Sequence, residues 1–194
     1  MWRALTSSCC VLLLLGCKGT AEPAAPASPV NSASAASSAA PSSKPEPQST
    51  AAFNGTLGVV EVKRNDYPTL LTDVRTAQHE GYDRIVMEFK DRVPGYRLEY
   101  VEKPVRDCGE GKVIPLAGDS WLEVRMYPVD GHTQEGQPTI LQRQRKPNLP
   151  NLFEAKQTCD FEAVVTWVLG LGSPNPYRVT ELSDPPRLVI DVKH

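Results

Sequence analysis

Alternating apolar and polar positions dominate the chain after residue 80. Within residues 82–89, Ile85, Met87 and Phe89 fall on one face of an extended segment, with mostly charged side chains on the other. The same period of two recurs in two further segments, where the positions expected to point inward are Leu122, Val124, Met126, Leu188, Ile190 and Val192. Glycine- and proline-containing turns separate these runs. The pattern predicts an all-β fold, either a sandwich or a barrel.

Two other segments are less regular. Residues 152–158 could form a helix by propensity, but the turn-forming residues before them suit a strand equally well, and we expect a strand. Residues 164–171 form a nearly continuous apolar run around Trp167, which predicts a strand that is buried on both faces. No segment after residue 52 shows an amphipathic helical pattern with caps at both ends.

A faint internal repeat links two parts of this region. Residues 161–165 resemble residues 82–86 at an offset of 79 positions, and residues 176–179 resemble residues 94–98 at an offset of 81 positions, a difference that a two-residue insertion reconciles. Two copies of one hairpin, stacked as two sheets, would account for the similarity. The alternative is a chance likeness between β-hairpins.

The first seventeen residues have the order of an export signal. Arg3 precedes an apolar run at residues 11–15 that is too short to span a bilayer. Residues 14–17, Leu-Leu-Gly-Cys, resemble the lipobox of bacterial lipoproteins, which implies cleavage before Cys17 and attachment of Cys17 to the lipid bilayer. Lys18 stands where some Gram-negative species use Asp for inner-membrane retention, which favours the outer membrane, facing the periplasm. The alternative is an ordinary secretory signal with a chance cysteine.

Residues 18–52 have the composition of a tether. They contain 11 Ala, 8 Ser and 6 Pro in 35 positions, with Val30 as the only large aliphatic side chain. Such a segment buries too little apolar surface to offset its ordering entropy, so we expect a disordered linker with a mean reach of about 30–35 Å. The expected organisation is a signal peptide at 1–16, the lipidated cysteine and linker at 17–52, and one folded domain at 53–194.

Only two cysteines, Cys108 and Cys159, lie in the expected domain. A pair in an exported protein is most simply a disulfide, and two buried thiols are the alternative. The whole chain carries a formal net charge of −2 and no long basic run, so we expect no nucleic-acid partner.

The sequence offers little for catalysis. Its three histidines, His79, His132 and His194, lack metal-ligand spacing, so neither a metal nor another cofactor is expected. No nucleophile motif of the GxSxG, SxxK or CxxC type occurs. A triad that uses Ser120 or Thr166 with a histidine stays open, because triads are assembled in space and not along the chain.

The strongest candidate for binding is one face of a strand. If Leu122, Val124 and Met126 point inward, four side chains share the opposite face: Trp121, Glu123, Arg125 and Tyr127. Glycan sites stack sugar rings on aromatic groups and contact hydroxyls with charged groups, so this face could hold a cell-wall polymer. The alternative is that a neighbouring strand or the 130–150 loop covers Trp121.

Several motifs in one order along the chain resemble AMIN-like domains. The matching segments are GYDRIVMEF at 81–89, GYR at 95–97, DFE at 160–162, TWVLGL at 166–171, PYRVT at 176–180 and PRLVIDV at 186–192. The resemblance implies a β-sandwich of two similar antiparallel sheets in a bacterial lipoprotein. Related AMIN domains direct amidases and secretins to peptidoglycan or the division septum. We therefore expect a non-catalytic module that binds peptidoglycan or an envelope protein; a small envelope hydrolase and a carrier of a small apolar ligand are the alternatives.

Replacing Cys17 tests the expected anchor. Cys17→Ser should move the protein from the membrane fraction to the soluble fraction, because position 17 then has no thiol to carry the lipid. Cys9→Ser, which keeps Cys17, should stay in the membrane fraction. Cell fractionation and intact-mass measurement report both effects. A wild-type protein whose Cys17 carries no acyl groups would contradict the expectation.

Overall fold

The structure is a computed structural model, and it describes residues 53–194. The export signal, Cys17 and the linker predicted for residues 1–52 lie outside the described residues. Within the described part of the chain, no helix is long and apolar enough to cross a membrane.

Eleven strands form the regular structure of residues 53–194, as the alternating pattern predicts. They are β1 (Val60–Val62), β2 (Thr69–His79), β3 (Tyr82–Phe89), β4 (Gly95–Val101), β5 (Ser120–Tyr127), β6 (Val129–Asp130), β7 (Gln144–Arg145), β8 (Leu152–Phe161), β9 (Val164–Leu171), β10 (Tyr177–Ser183) and β11 (Pro186–Lys193).

The strands form two sheets that pack face to face. The six-stranded sheet has the order β1-β4-β5-β9-β8-β7, and the five-stranded sheet has the order β10-β11-β3-β2-β6. Neighbouring strands are antiparallel except for a short parallel pairing of β2 with β6. The predicted all-β sandwich of two antiparallel sheets is therefore confirmed, with that one parallel pairing as an addition.

The core lies between the sheets and follows the alternating pattern. The inward positions of β3, β5 and β11 are buried as predicted. Residues 152–158 lie within a strand, β8, and β9 is buried along nearly its whole length, with Trp167 fully buried. Period-two patterning thus identified which side chains of the central strands form the core.

The hairpin interpretation of the internal repeat is wrong. β3 belongs to the five-stranded sheet and β4 to the six-stranded sheet, so the chain crosses between sheets at residues 90–94. β9 and β10 make the same crossing in the opposite direction through residues 172–176. Five residues are long enough to cover the roughly 10 Å between stacked sheets. Each half of the repeat is therefore a strand, a crossing and a strand.

A buried carboxylate connects the two sheets. Asp83 on β3 is fully buried, and its Oδ2 accepts the backbone N–H groups of Asn151 at 2.7 Å and Leu152 at 2.8 Å. Its Oδ1 lies 3.1 Å from Nδ1 of His194. Because Leu152 begins β8, the carboxylate positions the start of that strand against the other sheet.

A second buried carboxylate, Asp191 on β11, lies on the outer face of the five-stranded sheet. Arg84 donates to both of its oxygens, at 2.6 and 3.0 Å, and Arg178 donates to Oδ2 at 2.8 Å. The two arginines leave Asp191 only 1% exposed. These hydrogen bonds join β3, β11 and β10 side by side, which gives the charged residues of three sequence motifs a structural role.

Asp83→Ala should destabilise the fold strongly. The substitution leaves two buried N–H groups without an acceptor, each at a cost of about 1–3 kcal/mol, so we expect a loss of about 2–6 kcal/mol in the free energy of unfolding. The control is Asp73→Ala, which removes a half-exposed partner of Arg75 and should cost about 1 kcal/mol or less. Urea denaturation measures both losses, and equal losses would contradict the role assigned to Asp83.

Candidate functional site

The long loop between β4 and β5 lies on the outer face of the six-stranded sheet. Its Cys108 forms a disulfide with Cys159 of β8, which confirms the predicted pairing. Farther along the loop, the backbone N–H of Ala117 donates to Glu154 Oε2 at 2.7 Å. A methyl group on Gly170 of β9 would collide with the carbonyl oxygen of Ala117, so the loop lies directly on the sheet.

Trp121 lies under this loop. It points away from the core, beside Gly170, yet it is only 6% exposed, and Lys103 Nζ lies 4.0 Å from its ring centroid. Of the two alternatives that the sequence left open, a covered ring therefore describes Trp121. The covering element is the β4–β5 loop, which places Lys103 on the ring and Ala117 against Gly170, the residue directly opposite Trp121.

Glu123 is half-buried beside the covered ring. It lies directly opposite Glu99 of β4, and none of the described residues donates a hydrogen bond to its carboxyl group. Burial, and then the nearby charge of Glu99, raise the pKa of Glu123. The pKa of Glu99 is lowered, because Arg97 donates a hydrogen bond to it. The two carboxyl groups therefore differ in their preference for the charged form.

Arg125 and Tyr127 line an open groove of about 360 Å³ at the uncovered end of the sheet. The other residues around the groove are Glu61, Val62, Lys63, Arg64, Asn65, Gly95, Tyr96 and Arg97. Gly95 lets the β1 segment approach, because a Cβ there would lie 2.7 Å from Tyr127 O and 2.9 Å from Arg64 N. The structure thus separates the four predicted residues into a covered pair and a groove-lining pair.

The charged groups of the groove differ in what they contact. Arg97 donates to both carboxylate oxygens of Glu99, at 2.8 and 2.7 Å, and lies 3.3 Å from Glu61. Arg125 is exposed and forms no hydrogen bond or ion pair with another described residue. Tyr127 beside it is 50% exposed. An aromatic ring and an unpaired guanidinium in one groove can together contact a sugar ring and a carboxylate.

The sequence pattern did not indicate that residues of β1 line the groove. Glu61 and Lys63 lie there because β1 pairs with β4, with Glu61 opposite Arg97. The only signal was the alternation Val60-Glu61-Val62-Lys63, which is short for a strand assignment.

The histidines of the described residues have structural contacts. His132 Nδ1 lies 3.0 Å from Asp160 Oδ1, and His79 stacks on Tyr82 with ring centroids 4.9 Å apart. None of the three histidine rings is hydrogen-bonded to a hydroxyl group within residues 53–194, so no nucleophile and base are paired there. No group of three or more potential metal ligands is found in the same range.

Glu123→Gln should raise the melting temperature at neutral pH. A raised pKa means that the folded state favours the protonated carboxyl of Glu123. The stabilisation of the folded state that comes from this preference is present at acidic pH and is lost as the pH rises through the folded-state pKa. Glutamine stays neutral throughout. The gain should therefore grow as the pH rises above the ordinary value of 4.5 and then level off.

Thermal melts between about pH 4 and about pH 7 measure this dependence. Glu102→Gln, which changes an exposed carboxylate of the covering loop, is the control and should show little gain. A gain that is the same at every pH, or a loss at neutral pH, would contradict the account of Glu123.

The comparisons with known proteins agree with the fold. A family model, the AMIN-like domain, matches residues 69–194, a range that begins with β2 and includes all later strands. No curated protein and no solved structure matches the chain. Domains of this family are in general non-catalytic modules of the bacterial cell envelope. The chain belongs to the AMIN-like domain family.

Proposed function

We propose that this protein is a membrane-anchored envelope lipoprotein whose AMIN-like domain binds peptidoglycan without catalysing a reaction. The groove beside β1, β4 and β5 is the proposed contact surface. The observation that carries the proposal is the pairing of an exposed aromatic ring, Tyr127, with an unpaired guanidinium, Arg125, in one concave site.

The chemistry of the groove suits this polymer. Peptidoglycan presents sugar rings, whose apolar faces stack on aromatic side chains, and carboxylates, which arginine binds through two parallel hydrogen bonds. Arg97 is less available than Arg125, because Glu99 already occupies its donors. Arg125 is therefore the proposed carboxylate contact, and Tyr127 the proposed sugar contact.

The proposed anchor and linker determine how far from the bilayer the groove can reach. Acylation of Cys17 would hold the protein in the outer membrane facing the periplasm, and the linker of residues 18–52 would let the domain search about 30–35 Å from the bilayer. Weak binding suits such an arrangement, because tethering near the wall raises the effective concentration of the groove.

Arg125→Ala and Tyr127→Ala should each weaken binding to intact peptidoglycan sacculi roughly 5- to 30-fold, which corresponds to a loss of about 1–2 kcal/mol. Both side chains are exposed, so the melting temperature should change little. Cosedimentation with sacculi over a range of protein concentrations measures the affinity. A circular dichroism melt checks the fold of each variant.

The matched controls are Lys90→Ala, which removes one exposed positive charge, and Tyr67→Ala, which removes an exposed tyrosine that does not line the groove although it follows Asn65 by two residues. Neither should alter cosedimentation. If the wild type does not bind sacculi, or if the control variants lose as much affinity as the groove variants, the proposal is wrong. Capture of an envelope protein in place of sacculi would favour the protein-partner alternative.

A further inference from the structure

The open part of the outer face continues beyond the groove. Met126 pairs with Val165, so Tyr127 falls beside Val164 on the neighbouring strand, and Val164 in turn pairs with Phe161. Met126 and Val165 point into the core, which places Tyr127 and Val164 on the outer face. Directly opposite residues of an antiparallel pair share a face, so Phe161 joins them.

These three side chains form an apolar row across β5, β9 and β8. Tyr127 is 50% exposed, Phe161 is 59% exposed, and Val164 between them is half-buried. The two aromatic residues are separated by two strand spacings, about 10 Å. Single exposed apolar side chains are ordinary, but two aromatic rings in one row on an open sheet face are a candidate contact surface.

The charges next to the row favour an acidic ligand. Arg125 lies on the same face, two residues before Tyr127 along β5, and forms no hydrogen bond or ion pair with a described residue, although its charge acts on Glu123, two residues earlier on the strand. The acidic residues on either side of Phe161 are Asp160, which contacts Gly131 and His132, and Glu162, which lies in the turn. A ligand that contacts both rings can therefore place a carboxylate on the donors of Arg125, which no described carboxylate occupies by a hydrogen bond.

The position of the row disfavours an extended peptide as the ligand. Peptides that add to a sheet use the free backbone groups of an edge strand. β5 and β9 are interior strands, each paired on both sides, so at Tyr127 and Val164 the row offers side chains and no free backbone edge. Sugar rings need only the flat faces of aromatic side chains, and successive rings of one chain can contact successive platforms.

We infer that the row binds a glycan strand laid across β5, β9 and β8, with sugar rings on Tyr127 and Phe161 and a carboxylate of the same polymer on Arg125. The inference rests on the proposed function and specifies which part of peptidoglycan the domain contacts. It assigns Phe161, which lies outside the groove, to the same binding surface.

The test measures binding of the full-length protein, purified in detergent, to three probes. The probes are intact sacculi, glycan strands from which an amidase has removed the peptides, and the released peptides. Glycan strands should bind and should compete with sacculi, whereas the peptides should do neither. Hydrolysis by the amidase leaves a free carboxylate on each sugar that carried a peptide, and in the stripped strands this carboxylate can contact Arg125 in place of one from the peptide. Converting these carboxylates to amides should weaken binding of the wild type but not of Arg125→Ala.

Side-chain variants test the row itself. Phe161→Ala and Tyr127→Ala should each weaken glycan binding roughly 5- to 30-fold, the loss expected for Tyr127→Ala on sacculi. Phe161→Leu keeps apolar bulk without a flat ring, so it should fold normally and still lose affinity. Leu141→Ala and Tyr67→Ala, which remove exposed side chains that belong neither to the row nor to the groove lining, should bind as the wild type does.

The outcomes distinguish a failure of the glycan inference from a failure of the proposed function. Binding of sacculi and of the free peptides, with no binding of bare glycan strands, would overturn the glycan inference and leave the proposed function standing. Unchanged glycan binding in folded Phe161→Ala and Phe161→Leu would also overturn the inference. Failure of the wild type to bind sacculi would overturn the proposed function.

Discussion

The carboxylate of Asp83 is the constraint on which the arrangement of the sandwich depends. It is buried on the inner side of one sheet and accepts two backbone N–H groups at the start of β8 in the other sheet. An uncompensated buried carboxylate is unfavourable, so the two sheets must keep the relative position that satisfies it. The position of β8 then determines where Glu154 and Cys159 lie, and these two residues hold the β4–β5 loop.

That loop decides which part of the outer sheet face is available. It covers Trp121, and its Cys108 reaches Cys159, which lies across Thr166 from Arg125, while Arg125 and Tyr127 themselves stay exposed. The disulfide and the hydrogen bond to Glu154 keep the loop on the sheet. These contacts therefore determine which part of the outer face the loop covers. The proposed ligand surface is the open part that remains.

The motif residues and the proposed binding residues are largely different sets. Asp83, Arg84 and Asp191 lie in the motifs that resemble AMIN-like domains, and the structure gives each of them a role in joining strands or sheets. Arg125 and Tyr127 lie outside those motifs, whereas Phe161 lies in the DFE motif at 160–162. Membership of the family therefore accounts for the architecture, whereas two of the three proposed ligand contacts come from residues outside the family motifs.

The sequence predicted the features that depend on local alternation. The faces of β3, β5 and β11 follow from period two, and the pairing of Cys108 with Cys159 follows from there being two cysteines in a domain whose export the sequence predicts. Alternation states which face a side chain is on but not what covers that face, so the burial of Trp121 required the structure. The repeat was misread as hairpins, because local similarity does not distinguish a turn within a sheet from a crossing between sheets.

The most direct test of the central claim is hydroxyl-radical footprinting of the full exported chain with and without soluble peptidoglycan fragments. The method measures the solvent accessibility of individual aromatic side chains. The account predicts that oxidation of Tyr127 and Phe161 falls when the fragments are added, while oxidation of the exposed Tyr67 does not change. Unchanged oxidation at Tyr127 and Phe161 under conditions where the fragments bind would contradict it.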